Sequence, residues 1–156
     1  YLLNLYLEEF RTTLFRQTMF AEFELEMGKM SENGETLTAD ALCKKYYDLN
    51  KLYFGPDMVS DEEIALEWSR IPHFFYNYYV FQYATGFSAA VAIANRILEK
   101  GAPAVADYKR FLSSGSSTDP ISLLKIAGVD MSSPEPINEA LKLFGSLIDE
   151  LDELLK

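Results

Sequence analysis

The sequence predicts an all-α protein. Three observations lead there. Apolar residues recur at helical spacing along most of the chain, glycine and proline breaks separate these runs at helix-length intervals, and no segment alternates apolar with polar residues as a half-buried strand would. The 156 residues are 49% apolar, with ten tyrosines and eleven phenylalanines. That is too aromatic for a disordered chain, and long enough to bury roughly 68–70% of the unfolded surface in one body. Residues 1–156 are therefore expected to form a single helical region.

The first run, with Leu3, Phe10, Leu14, Met19, Phe20 and Phe23 in helical recurrence, predicts one long helix from Tyr1 to about Met30. Tyr1-Leu2-Leu3 is already in the pattern with no N-cap before it, as expected of a chain that begins inside an element. After the Asn33-Gly34 turn, Thr38 and Asp40 open a second helix that runs to about Tyr53, where Gly55-Pro56 stops it. Ser60 with Glu63 reads as a capping box for a short helix to about Arg70, and Pro72 marks its end or a kink. An aromatic helix is expected over about His73 to Thr85. Past Gly86, read as a close-packing or helix-breaking glycine rather than a hinge beside a substrate, the pattern continues to about Lys100, where Gly101 stops it. Shorter helices follow over about 103–113, from Asp119-Pro120 to Gly128, and over about 134–155. Ser113 to Ser117 is a surface loop too short to separate two cores.

Fourteen Lys and Arg against 24 Asp and Glu leave a net charge of −10. That field repels phosphate backbones and anionic membrane surfaces, so nucleic acid and membrane are not expected partners. Ile71 to Asn95 lacks formal charge if His73 is neutral and is long enough to span a bilayer. Its Asn, Gln, Thr, Ser and Tyr side chains argue for a helix buried within protein instead. The lone Cys43 cannot form an intramolecular disulfide and reads as a packed core residue of a cytoplasmic protein. Glu8, Glu9, Arg11 and Arg16 read as local and interhelical ion pairs, and Asp149 to Glu153 as a solvated face.

Chemistry concentrates in Trp68 to Phe87, W-S-R-I-P-H-F-F-Y-N-Y-Y-V-F-Q-Y-A-T-G-F, with eight aromatics between Trp68 and Tyr83. At about 100° per residue, His73, Tyr76, Tyr79, Val80 and Tyr83 share one side of a helix, and Phe74, Tyr78 and Phe81 the other. Phenols on one face need hydrogen-bond partners, which implies either an internal network in an aromatic core or a wet cavity. In the second reading His73 and the tyrosines donate hydrogen bonds to an oxygen that becomes negative in a transition state. One histidine without H-E-x-x-H cannot make a zinc site, so no metal ligands are assigned. No G-x-S-x-G elbow or glycine-rich phosphate loop is present.

Two strings carry a family resemblance. Y-L-E-E-F-R-T-T-L-F-R-Q-T-M-F-A-E-F-E from Tyr6 and E-E-I-A-L-E-W-S-R-I-P-H-F-F-Y-N-Y-Y-V-F-Q-Y-A-T-G-F-S-A-A from Glu62 resemble the C-terminal part of oligoendopeptidase F, of the thimet oligopeptidase-like M3 family. The resemblance extends over essentially the whole chain, including Gly128-Val129-Asp130-Met131. It implies the C-terminal portion of a zincin-like helical catalytic domain that hydrolyses short peptides in the cytoplasm. It also implies a zinc ion in the intact parent, held by H-E-x-x-H and a downstream glutamate in a preceding part that this chain lacks. The family's substrate-binding and intermediate-stabilising positions fall on His73, Tyr76, Tyr79 and Tyr83. The choice among Tyr76, Tyr78 and Tyr79 stays open, with Tyr78 the weakest by helical facing. Such a chain is expected to be inactive alone and to self-associate through exposed apolar surface. The alternative is a non-catalytic helical module that binds a peptide or partner helix in an aromatic groove.

Overall fold

A computed structural model describes all 156 residues and contains seven α-helices joined by turns and 3-10 segments. They are α1 (Leu2–Glu9), α2 (Arg16–Glu32), α3 (Ala39–Phe54), α4 (Phe81–Lys100), α5 (Ala102–Ser113), α6 (Pro120–Ile126) and α7 (Glu135–Leu154). The expected all-α class is found. No helix is long and apolar enough to cross a membrane. The chain divides into two compact units, Arg11–Ala84 and Tyr1–Phe10 with Thr85–Lys156.

Several sequence signals act where they were read. Thr38 caps α3, its hydroxyl accepting the Ala41 N–H at 3.2 Å. Gly55, at φ +77°, ends that helix in a conformation that costs other residues a steric penalty. Asp119 caps α6 through the Ser122 N–H at 2.9 Å, with Pro120 at the first helical position. Gly101, at φ +64°, separates α4 from α5.

Other expectations need correction. The long first helix is interrupted by a π-helical stretch, Phe10–Phe15, between α1 and α2. One extra residue in a turn rotates everything after it by about 100°, so a single helical phase does not hold across residues 1–30. The capping box at Ser60 does not form. Its hydroxyl donates to Asn50 Oδ1 at 3.1 Å and its carbonyl accepts from the Tyr47 hydroxyl, while Glu62–Arg70 is a 3-10 helix that begins after Asp61. Gly86 neither breaks a helix nor packs closely: it lies within α4 with nothing within 4 Å of where a Cβ would stand. The aromatic helix over 73–85 is absent. Pro72–Tyr76 is a single 3-10 turn, and α-helix resumes only at Phe81.

The unit Arg11–Ala84 is built on Met19, Phe20 and Phe23 of α2, Leu42, Tyr46 and Leu49 of α3, and Ile71 and Val80 from the aromatic segment. Trp68 and Phe74 pack against this core, and Trp68 Nε1 donates to Cys43 Sγ at 3.4 Å. Cys43 is half-buried there as a free thiol. In the other unit α1 packs on α7 and α5 on α6. Phe10 sits between Phe87 and Phe144, with ring centres 4.8 and 5.3 Å away. Ala89, Ala92 and Ile93 of α4 meet Ala127 and Val129. Arg96 ties that layer down through Asp107 at 2.6 Å and the Ala127 carbonyl at 3.1 Å.

The expected ion pairing of Arg16 takes a specific form. Arg16 binds Glu67 Oε1 at 2.6 Å and lies over the Phe20 ring at 4.7 Å. Glu67 also takes Arg70 and, on Oε2, the fully buried Tyr46 hydroxyl at 2.6 Å. Burial pushes the Glu67 carboxyl up, but the hydrogen bonds from Arg16 and Tyr46 and the field of Arg16 and Arg70 outweigh it, leaving its pKa below the ordinary value. The carboxyl is thus ionised in the fold where the unfolded chain would protonate it. Its contribution is present above the ordinary pKa of 4.5 and is lost as pH falls through the lower folded value. Glu67→Leu strands the Tyr46 hydroxyl and should cost about 2 kcal/mol in urea unfolding at pH 7. The gap to the parent chain should narrow as the pH is taken below 4.5. A gap that stays constant with pH would show that the charge of Glu67 is not what stabilises the fold.

Candidate active site

The segment that holds the single histidine is shaped by its backbone. Pro72 opens the 3-10 turn Pro72–Tyr76, and in such a turn side chains at i and i+3 eclipse, so His73 and Tyr76 emerge on one side. Asn77 and Tyr78 then both take positive φ, +55° and +57°. Asparagine tolerates this region, but for tyrosine it is a true outlier, worth about 1–3 kcal/mol of strain. The chain reverses there and Tyr79 leads into α4, where Tyr83 stands four residues on and so above it.

The four rings meet. His73 stacks on Tyr79 with centres 5.9 Å apart and planes at 26°. It meets Tyr76 and Tyr83 edge-on at 6.0 and 5.8 Å. Tyr79 lies edge-on to both Tyr76 and Tyr83, at 6.0 and 5.8 Å. The Tyr83 hydroxyl is 3.2 Å from His73 Nε2, donating if the ring proton is on Nδ1 and accepting if it is on Nε2. Desolvation, and then the neighbouring Tyr79, raise the Tyr83 pKa, so its phenol keeps its proton at neutral pH and stays a donor.

All four expected site residues are therefore brought together, though not by the expected means. They do not line a buried helix. Tyr76, Tyr79 and Tyr83 are exposed, at 63, 40 and 38%, at a surface turn. Val80, read as part of the phenol face, is fully buried in the core instead. Phe74 packs inward as read, whereas Phe81 and Phe75 are exposed. Tyr78 lies apart from the cluster against α2, where a Cβ on Gly28 would come within 2.2 Å of its hydroxyl.

Sequence reasoning missed Glu24. It is buried on α2, and its Oε1 accepts the Tyr78 N–H at 3.0 Å. Burial raises its pKa, opposed by the Tyr78 and Val80 amides and by the field of His73. Glu22, Glu24 and Glu26 alternate with Phe23 and Leu25, so the sequence offered no signal that singled out Glu24. Asn77, among bulky aromatics, was the signal for the left-handed turn. No group of three or more His, Cys, Asp or Glu side chains converges anywhere, and His73 is surrounded by phenols. The residues of this chain do not fit a zinc ion.

Known proteins match this chain closely. Oligopeptidase PepF of Bacillus subtilis (strain 168) is 61% identical over 155 residues, which is 99% of this chain and 23% of that protein. The chromosomal oligoendopeptidase F of Lactococcus lactis subsp. cremoris is 43% identical over 99% of this chain and 26% of its own length. The crystal structure of oligoendopeptidase-F from Enterococcus faecium superposes with a TM-score of 0.96 at 49% identity, covering 99% of this chain and 30% of that one. The chain thus spans about a quarter of the length of the curated relatives it matches. Residues 1–143 match peptidase family M3, and with the resemblance in its aromatic segment this shows that the chain belongs to that family.

Proposed function

We propose that this chain is part of a zinc-dependent oligoendopeptidase that hydrolyses short peptides, and that it supplies side-chain donors to the substrate while being inactive alone. The observation that carries the reading is the meeting of His73, Tyr76, Tyr79 and Tyr83 at an exposed turn. Supporting it are relatives that are themselves named oligopeptidases. Zinc would supply the chemistry on water from ligands outside this chain. The missing part of the parent is accordingly the chain's first partner and short peptides its substrates, in a cytoplasmic protein.

The roles follow from the chemistry of the donors. Attack on a peptide carbonyl turns its oxygen into an oxyanion, and fixed hydrogen-bond donors stabilise that charge more than they stabilise the ground state. Tyr83 retains its proton at neutral pH and can turn from His73 towards such an oxygen. His73 donates through whichever ring nitrogen carries hydrogen. Tyr76 and Tyr79 present phenols and ring edges suited to hold a peptide backbone beside them. The rival reading, a peptide-binding module without catalysis, uses the same surface but requires no effect of these donors on turnover.

In the full-length protein, Tyr83→Phe should lower kcat on a short peptide by about 10² to 10³. A fall of less than about threefold would rule out the donor role. The isolated chain should self-associate, since Phe75, Tyr76, Phe81 and Leu98 are among the large apolar side chains it exposes. Sedimentation at increasing concentration checks this, and a monodisperse monomer throughout would contradict it.

A further inference from the structure

Two glutamates are buried, and their surroundings differ. Glu67 is offset by two arginines and a phenol. Glu24, only 4% exposed, has Oε2 without any hydrogen-bond partner, while Oε1 holds the Tyr78 amide. An apolar residue of similar size would avoid the desolvation that this carboxylate suffers. A carboxylate buried there has a reason beyond packing.

The reason lies in the backbone it faces. Tyr78 and Val80 lie just before the first residue of α4; the Tyr78 amide donates to Glu24 Oε1 at 3.0 Å, and the Val80 amide helps to hold down the pKa of the same carboxyl. The same segment is strained at Asn77 and Tyr78 and bears Tyr79, with Tyr83 in the turn that follows. A negative group at the head of a helix is also favoured by the helix dipole. The Tyr78 side chain is laid against Gly28, one turn along the same face of α2 from Glu24.

We propose that Glu24 is a positioning residue whose carboxylate clamps the Tyr78–Val80 backbone at the head of α4 and so fixes Tyr79 and Tyr83 against His73. This rests on the reading of that cluster as the donor surface of a peptidase. Glu24 itself touches no substrate; it acts through the turn.

The test uses the full-length protein and reads amide exchange and steady-state kinetics together. Glu24→Leu removes the carboxylate that accepts the Tyr78 amide, at similar volume. It should speed exchange of the Tyr78 and Val80 amides at least about tenfold and lower kcat on a short peptide about a hundredfold, with KM changed less than about threefold. Glu24→Gln keeps an acceptor for the Tyr78 amide, and should restore protection and bring kcat to within about tenfold of the parent. Unchanged exchange and turnover in Glu24→Leu would overturn the proposal. So would a Glu24→Gln protein that protects both amides yet loses as much kcat as Glu24→Leu, because charge and not position would then be at work. If Glu24→Leu fails to fold by circular dichroism, Glu24→Gln decides: amides protected with kcat within tenfold support the clamp, and any other combination overturns it. Comparison with Tyr83→Phe separates the two readings. A silent Tyr83→Phe beside a deprotected Glu24→Leu removes the donor role and leaves the clamp, whereas a slow Tyr83→Phe beside an unaffected Glu24→Leu does the reverse.

Discussion

Two consecutive residues in the left-handed region, Asn77 and Tyr78, govern the geometry of the aromatic segment. Without that reversal, His73 and Tyr83 would be ten residues apart on one rod, about 15 Å along its axis. With it, their rings meet at 5.8 Å and their polar atoms at 3.2 Å. The strain of a tyrosine at positive φ persists only where surrounding contacts determine it. Here those contacts include the Glu24 carboxylate on one amide and the seat against Gly28 for the ring.

The two buried carboxylates of the Arg11–Ala84 unit show how stability and site geometry diverge. Glu67 is shifted down by its cations and phenol, so its ionisation favours the folded chain at neutral pH. It ties α2, α3 and the 3-10 helix Glu62–Arg70 into one body. Glu24 is shifted up by burial, so ionising it at neutral pH works against folding. A group that weakens the fold while contacting a strained turn is what functional geometry commonly costs.

The sequence makes the helices legible where local chemistry decides them. Thr38, Gly55, Gly101 and Asp119-Pro120 act through contacts within a few residues, and each bounds a helix as read. Ser60 fails because Asn50 and Tyr47, distant in sequence, take its polar groups first. The aromatic helix fails for a comparable reason: periodicity cannot register a reversal whose Tyr78 amide is bound by Glu24, more than fifty residues earlier. The four residues read onto one face nonetheless meet, because a 3-10 turn keeps i and i+3 together and the start of a helix keeps i and i+4 together, as one continuous helix also would. Val80 exposes the flaw in that arithmetic, since it shares the supposed phenol face yet lies in the core. Exposure of the cluster was not legible at all, because rows of aromatics look alike whether they fill an interior or line a surface.

The central claim is that this cluster presents hydrogen-bond donors to the oxygen that becomes negative during peptide hydrolysis. A crystal structure of the full-length protein with a phosphinic peptide, whose tetrahedral phosphorus stands for the attacked carbonyl carbon, tests it most directly. The account predicts the Tyr83 hydroxyl or a His73 ring nitrogen about 2.7–3.1 Å from a phosphinyl oxygen. A bound inhibitor with both groups more than about 5 Å from either phosphinyl oxygen would contradict it.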